Sequence, residues 1–356
     1  MNSIVYSNQQ MKVPGMTELL NTLYVQTQGA SLFLDGDSVR IVIPEHDGRN
    51  IVPLRRLQEI VVFGGVQVSN PLVTRCAADG RPVTWMSGGG RFLNRLEGPT
   101  RGNVLLRHAQ HLRYADPDAT LKTARSFVAG KLQNSRQLLL KGARDAQRGR
   151  DELREEAATL EKMLGKIPAA PDLDALRGIE GDAARHYFEG FRHLLRRDLD
   201  IGTFPARIKR PPTDPVNALL SFYYGMTRSM VQGAAEQVGL DPYVGFLHGL
   251  RPGKPALALD LMEEFRAPVA DRLALTMFNR RQLCAEHFET LPGGAVQLTE
   301  DGRTIALTAW REAMKRDRPH RLNGRRVPTA ILPSVQARIL ARHIRGELDG
   351  YVPWIA

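Results

Sequence analysis

The chain has 356 residues, 42% of them hydrophobic and 24% charged, with a formal net charge of +11. That balance fits one large or two ordinary folded domains and excludes extended disorder. Two cysteines, Cys76 and Cys284, exclude a disulfide framework and a cysteine-built zinc site, and no apolar run approaches the ~18 residues of a membrane span.

The N-terminus lacks the charged and apolar regions of a signal peptide, so a soluble, intracellular protein is expected. Residues 1–15 match neither of the patterns that follow. Met11 and Met16 both offer translation starts, and Met16 leads into the first periodic segment, so residues 1–15 are expected to be a loosely held extension.

Residues 16–98 read as a small, mostly antiparallel β domain. Strands are predicted at Tyr24–Thr27, Ser31–Leu34, Val39–Ile43, Ile60–Phe63, Val66–Val68 and Val83–Met86. Asp35-Gly36-Asp37, Asp47-Gly48-Arg49, Gly64-Gly65 and Asp79-Gly80-Arg81 supply the turns. A short helix is predicted over Asn70–Ala78. Gly88-Gly89-Gly90 lacks the spacing of a phosphate-binding loop and reads as a flexible exit. Gly98-Pro99-Thr100-Arg101-Gly102 marks the boundary.

Residues 99–356 turn helical. Leu105, Leu106, Ala109 and Leu112 recur at helical spacing, and helices follow at Ala119–Gln147, Asp151–Met163 and Leu173–Leu199. Asp214-Pro215 and Asn217 open another, which Gly239 stops. Pro255–Phe265, Val269–Phe288, Ile305–Lys315 and Val335–Leu348 complete the series, with a small hairpin predicted at Leu298–Thr304. The fold class is α+β by segregation: a small antiparallel β domain, then a larger all-α domain.

The charge follows the same division. Residues 1–100 hold nine Lys/Arg against eight Asp/Glu, which leaves 40 against 30 for residues 101–356. A surplus confined to the helical part suits a polyanion, because cations that contact phosphates release counterions. A solvated basic surface that aids solubility is the competing explanation.

Three features of the helical part have chemical potential. Glu180 shares the apolar stripe of its helix with Ala184, Tyr187 and Phe191, where a carboxylate is costly unless it is paired or binds a metal. His248 precedes a Gly- and Pro-rich loop, Gly249–Pro255, that suits a ring facing a cleft. Asp260 lies one turn from Glu263 and Glu264, so their carboxylates share a helix face. Each has a structural explanation taken singly: a buried ion pair, a satisfied histidine, a solvated acidic face. Together they offer oxygen donors and one imidazole without a thiolate, a set that suits Mg²⁺ or Mn²⁺. A carboxylate-held cation among phosphate-binding side chains is what phosphodiester chemistry requires.

Four blocks then resemble a known family. Leu20-Asn21-Thr22-Leu23-Tyr24-Val25, Gly178–Phe188, Asp214-Pro215-Val216-Asn217-Ala218-Leu219-Leu220 and Gly239–Arg266 are similar to the CRISPR-associated spacer-acquisition integrase and endonuclease. That family is the larger of the two universal adaptation proteins, and the likeness is greatest to subtype I-C. It runs from about Met16 to the C-terminus.

The resemblance implies a β-rich N-terminal domain and a helical catalytic domain. It places metal-binding and catalytic roles on Glu180, His248 and Glu263, with Asp260 and Asn217 as supporting residues. Many members carry aspartate where this chain has Glu263. Lys254, Arg266 and Arg185 are the DNA-phosphate candidates. The implied activity inserts short DNA fragments into a CRISPR array, by attack of a 3′-hydroxyl on a phosphodiester. Implied partners are double-stranded DNA, a second copy joined through the nearly neutral β domain, and the smaller adaptation protein in a heterohexamer. The implied setting is the prokaryotic cytoplasm. Two rivals stay open: a stand-alone metal-dependent nuclease on branched DNA or RNA, and a noncatalytic DNA-binding scaffold.

Overall fold

A computed structural model describes residues 16–19, 22–44, 46–87, 92–96, 98, 104–196, 198–208, 210–322 and 324–356. The expected extension at 1–15, the Gly88-Gly89-Gly90 exit and most of the boundary segment lie outside the described residues. The chain forms two compact units, 1–101 and 102–356.

The first unit contains two sheets. One has five strands in the order β1 (Met16–Leu19), β2 (Thr22–Val25), β6 (Glu59–Phe63), β8 (Val83–Met86) and β9 (Phe92–Leu96). The other runs β5 (His46–Pro53), β4 (Ser38–Ile43), β3 (Ser31–Asp35) and β7 (Gln67–Val68). Leu23, Val25, Ile60 and Val62 from the first sheet join Leu32, Val39, Ile41 and Val52 from the second in one apolar core. Alternation along β4 turns Val39 and Ile41 inward and Arg40 and Val42 outward.

The antiparallel expectation is corrected: both sheets are mixed. β2 pairs with β6 in parallel, β6 with β8 in parallel, and β3 with β7 in parallel. The β3–β4–β5 meander leaves for the second sheet before the chain returns to β6, so β2 and β6 share a direction. Helix α1 (Asn70–Ala78) then supplies the crossover that a parallel β6–β8 pair needs.

The second unit is organised on α3 (Pro117–Asp145), the longest helix among the described residues. Asp116 starts it by accepting from the amides of Asp118 and Ala119, with Pro117 at the first helical position. After α2 (Val104–Ala115), α3 packs against α4 (Arg150–Lys166), α5 (Leu173–Leu194) and α7 (Ala256–Phe265). Helix α6 (Pro215–Val238) is capped by Asp214 and closed by Gly239 at φ 90°. It packs against α7 and against α10 (Leu332–Ile344).

This unit is not all-α. Hairpins β10–β11 (Phe288–Thr290, Val296–Leu298) and β12–β13 (Asp317–His320, Arg325–Pro328) interrupt it. The hairpin expected at Leu298–Thr304 therefore lies earlier. Thr299 instead accepts from the Gly302 amide and caps α9 (Glu300–Lys315). The helix expected at Val269–Phe288 is also divided. A π turn over Arg266–Asp271 precedes α8 (Arg272–Asn279), and Arg281 at φ 53° takes the chain out of helical geometry.

Candidate active site

The sequence places three acids on α7 where a solvated face would be the ordinary outcome. The structure corrects that reading: Asp260, Glu263 and Glu264 are 0%, 2% and 1% exposed. Helix α7 lies between α3 and α6 and is covered almost all round, so each carboxylate must find a partner inside.

Asp260 finds four. Its Oδ2 accepts from the amides of Phe246 at 2.5 Å and Leu247 at 3.0 Å, and its Oδ1 from the amide of His248 at 2.9 Å. The same Oδ1 lies 2.7 Å from His248 Nδ1. A carboxylate only accepts, so Nδ1 carries the proton and Nε2 presents its lone pair. Gly245 makes the close approach possible, since a Cβ there would stand 2.6 Å from the Ala256 carbonyl carbon and 2.8 Å from Asp260 Oδ2.

Glu263 meets a different environment. Its Oε1 pairs with Arg266 at 3.1 Å and its Oε2 lies 2.9 Å from Lys131 Nζ on α3. The second contact lacks hydrogen-bond alignment, so Oε2 is a buried oxygen without a hydrogen bond. Lys131 also contacts Glu180 Oε1 on α5. One ammonium thus draws together two carboxylates from different helices. Burial raises the Glu263 pKa, but Arg266, Lys131 and His248 outweigh it and hold the carboxyl at about 2. Lys131 is the mirror case. Burial works against its charge, and Glu263 and Glu180 raise its pKa regardless.

Beside these residues lies a cavity of about 390 Å³, lined by Lys131, Glu180, Arg185, Arg207, Arg266 and Asp271 among others. Arg266 and Arg207 lie over the Tyr224 ring, 4.7 and 5.1 Å from its centroid. The hydroxyls of Tyr224 and Tyr187 each donate to Asp271 at 2.7 Å. Burial nonetheless raises the Asp271 pKa to about 6.

Asn217 is fully buried and accepts from Arg207 at 2.7 Å and from the Ile208 amide at 2.9 Å. It therefore holds the segment that carries Arg207 to the cavity. Arg185 is exposed, pairs with Asp182 at 2.6 Å, and reaches the cavity rim. Lys254 is half-buried in the turn before α7. Arg266 is not a free surface cation, since Glu263 and Tyr224 both hold it.

Sequence reasoning missed Lys131, Arg207, Tyr224 and Asp271. It also missed Cys284, Glu286 and His287, the one set of three ligand atoms that lies within 4.8 Å of one another among the described residues. Cys284 Sγ is 3.4 Å from Glu286 Oε1 and 3.2 Å from His287 Nδ1. Those three come from one short turn at the surface. Glu180, His248 and Glu263 are not drawn so close, because the Lys131 ammonium occupies the position between the two glutamates.

Comparison with known proteins decides the family. The model for CRISPR associated protein Cas1 matches residues 23–312. A CRISPR-associated endonuclease Cas1 of Moorella thermoacetica is 45% identical over 95% of this chain and 98% of its own. The chain belongs to the Cas1 family. Two solved structures share the fold. A casposase bound to integration product superposes with TM-score 0.79 at 19% identity, covering 93% of each chain. A chain of a Cas6-RT-Cas1–Cas2 complex superposes with TM-score 0.78 at 22% identity, covering 94% of this chain and 36% of that one. At these identities the likeness concerns the fold alone.

The donor set of this Cas1 fits a divalent cation. Among the described residues Glu263 Oε2 is buried without a hydrogen bond, His248 Nε2 is left as the acceptor nitrogen once Nδ1 donates to Asp260, and Glu180 adds a further carboxylate. Oxygen-rich sets with one imidazole suit Mg²⁺ or Mn²⁺, and an imidazole backed by a carboxylate is a usual metal ligand.

Proposed function

We propose that the protein is a divalent-metal-dependent DNA integrase and endonuclease of CRISPR adaptation, with its site at Glu180, His248 and Glu263. The convergence of Glu180 and Glu263 on one half-buried cation, beside a histidine fixed by Asp260, carries this reading. A site that stabilises Lys131 between two carboxylates has the charge complement a Mg²⁺ or Mn²⁺ ion takes. When bound, that ion supplies Lewis-acid stabilisation of charge on the phosphoryl and leaving oxygens.

The chain's own residues do the rest. Asp260 keeps Nδ1 of His248 protonated and its ring fixed, so the Nε2 lone pair faces the site. Arg266 and Arg207, held over Tyr224, place positive charge along the cavity wall for a phosphodiester. Lys254 and Arg185 extend that charge toward the strand outside the cavity. The 3′-hydroxyl of an incoming fragment gives up its proton to water and attacks phosphorus; one P–O bond forms, the bond to the target's 3′-oxygen breaks, and that oxygen takes up a proton. No external energy source is needed for that exchange.

Homodimerisation through the β unit fits the exposed side chains on the outer face of its four-stranded sheet. Phe33, Val42 and Ile51 there are 36–43% exposed. The smaller adaptation protein in a heterohexamer, a prokaryotic cytoplasmic setting and the subtype I-C branch belong to the same reading.

The test is strand joining. The purified protein with its small partner receives a labelled duplex fragment and a repeat-containing plasmid, with Mn²⁺ or EDTA. Joined product that requires Mn²⁺ and is lost in His248→Ala supports the integrase. Metal-dependent fragments without joined product would reduce the reading to a nuclease. DNA binding without any metal-dependent chemistry would leave a scaffold.

A further inference from the structure

A second concavity, of about 600 Å³, lies along another side of α3. Its rim carries Lys141 and Arg144 from α3, Arg154 from α4, Arg272 from the start of α8 and Arg318 from β12. Its lining contains no aromatic ring, and its one carboxylate is the terminal group of Ala356, which makes no ion pair with these cations among the described residues.

These cations are poorly compensated. Among the described residues Lys141, Arg144, Arg272 and Arg318 make no ion pair, and Arg154 reaches Asp151 only at 3.8 Å. The Arg272 guanidinium lowers the Lys141 pKa more than nearby Asp145 raises it. Partial burial, and then Arg272, Arg316 and Arg326, lower that of Arg318. Like charges brought into one hollow by four different elements raise the energy of the empty protein. An anion that spans them removes that cost.

We infer that this hollow binds the phosphodiester backbone of DNA, as a contact separate from the catalytic cavity. The inference rests on the proposed DNA chemistry and adds to it where the strand travels. Without rings to stack on a base, the lining reads backbone charge and not sequence. Along α3, Lys131 and Arg144 are thirteen residues apart, which is about 20 Å at the helical rise of ~1.5 Å per residue. At ~3.4 Å per nucleotide along one strand, that gap holds roughly six nucleotides. A strand reacting at Glu180 and Glu263 therefore needs about that much length beyond the reacting phosphate to reach Lys141 and Arg144.

The exposed positions allow a clean test, since Lys141→Ala/Arg144→Ala removes no buried partner. Affinity for a 30-base-pair duplex is measured by fluorescence anisotropy across a salt series in full-length protein. Lys162→Ala/Lys166→Ala, an equal charge change on the exposed face of α4, serves as the comparison. The expected result is a salt slope shallower by roughly 1.8, at ~0.9 per lost phosphate contact. The comparison variant keeps the wild-type slope. Metal-dependent cleavage of an oligonucleotide too short to reach the hollow stays at the wild-type rate in both. An unchanged slope in Lys141→Ala/Arg144→Ala, or an equal fall in both variants, overturns the inference. So does selective relief of DNA binding by inorganic phosphate at fixed ionic strength, which would mark a free-anion site. Wild-type protein that binds no DNA would instead defeat the proposed function itself.

Discussion

Asp260 Oδ1 lies 2.7 Å from His248 Nδ1 while the same carboxylate caps three consecutive amides, those of Phe246, Leu247 and His248. One buried group therefore fixes the loop and the ring it carries. Asp260→Asn puts an NH₂ against N–H donors and leaves at least one buried amide unpaired, at about 1–3 kcal/mol. It also releases the His248 ring. Mn²⁺ affinity, read by calorimetry, is expected to fall 10–100-fold, the range for lost partners of ligating histidines. Gly245→Ala reaches the same end from the backbone side, since its Cβ meets Asp260 Oδ2. Wild-type Mn²⁺ affinity in both variants would separate Asp260 from the site.

Lys131 balances Glu180 and Glu263 in the absence of a divalent ion. Lys131→Met leaves Glu263, 2% exposed, with Arg266 as its remaining cation. Metal-free protein is expected to lose about 3 kcal/mol, the lower range for breaking a buried pair. Added Mn²⁺ should then raise the melting temperature more in the variant than in wild type, because the ion replaces the missing charge. Thermal melting with Mn²⁺ and with EDTA checks this. A loss that Mn²⁺ leaves untouched would show that Lys131 and the ion do not share those carboxylates.

Glu264 ties α7 to Tyr351 and Trp354. Its carboxyl accepts from the Tyr351 hydroxyl at 3.0 Å and the Trp354 amide at 2.9 Å, and burial raises its pKa to about 8. The folded state thus keeps a proton that the unfolded chain releases near pH 4.5. Stability from this group is complete below that pH and is lost as pH rises from there through about 8, by up to ~1.4 kcal/mol per pH unit. Glu264→Gln is expected to flatten that decline. Denaturant unfolding between pH 5 and 9, at ~1 pH intervals, measures it. Parallel wild-type and variant curves would contradict the assignment.

Much of this was legible in the sequence, for reasons that differ by residue. Asp214-Pro215 and Gly239 announced the ends of α6 because capping is local chemistry. The strand expected at Val39–Ile43 lies within β4, because its β-branched residues and flanking turns are local signals too. Glu180 stood out as an acid on an apolar stripe, and the motif blocks led to His248 and Glu263. Lys131 did not stand out. Along α3 it resembles Lys122 and Lys141, and only the packing of α3 against α5 and α7 gives it two glutamates. Parallel pairing was hidden likewise, since β2 meets β6 across a separate meander. Asp271 was concealed in a run that read as continuous helix, because a π turn changes which side chains face α5 and α6.

Whether Glu180, His248 and Glu263 hold a divalent cation is read from Mn²⁺ binding. Calorimetric titration would compare wild type with Glu180→Gln, His248→Ala, Glu263→Gln and Cys284→Ser. One tight site is expected in wild type and in Cys284→Ser, with its loss or severe weakening in each of the other three. Tight binding that survives in those three, or that disappears with Cys284, would contradict that placement of the ion.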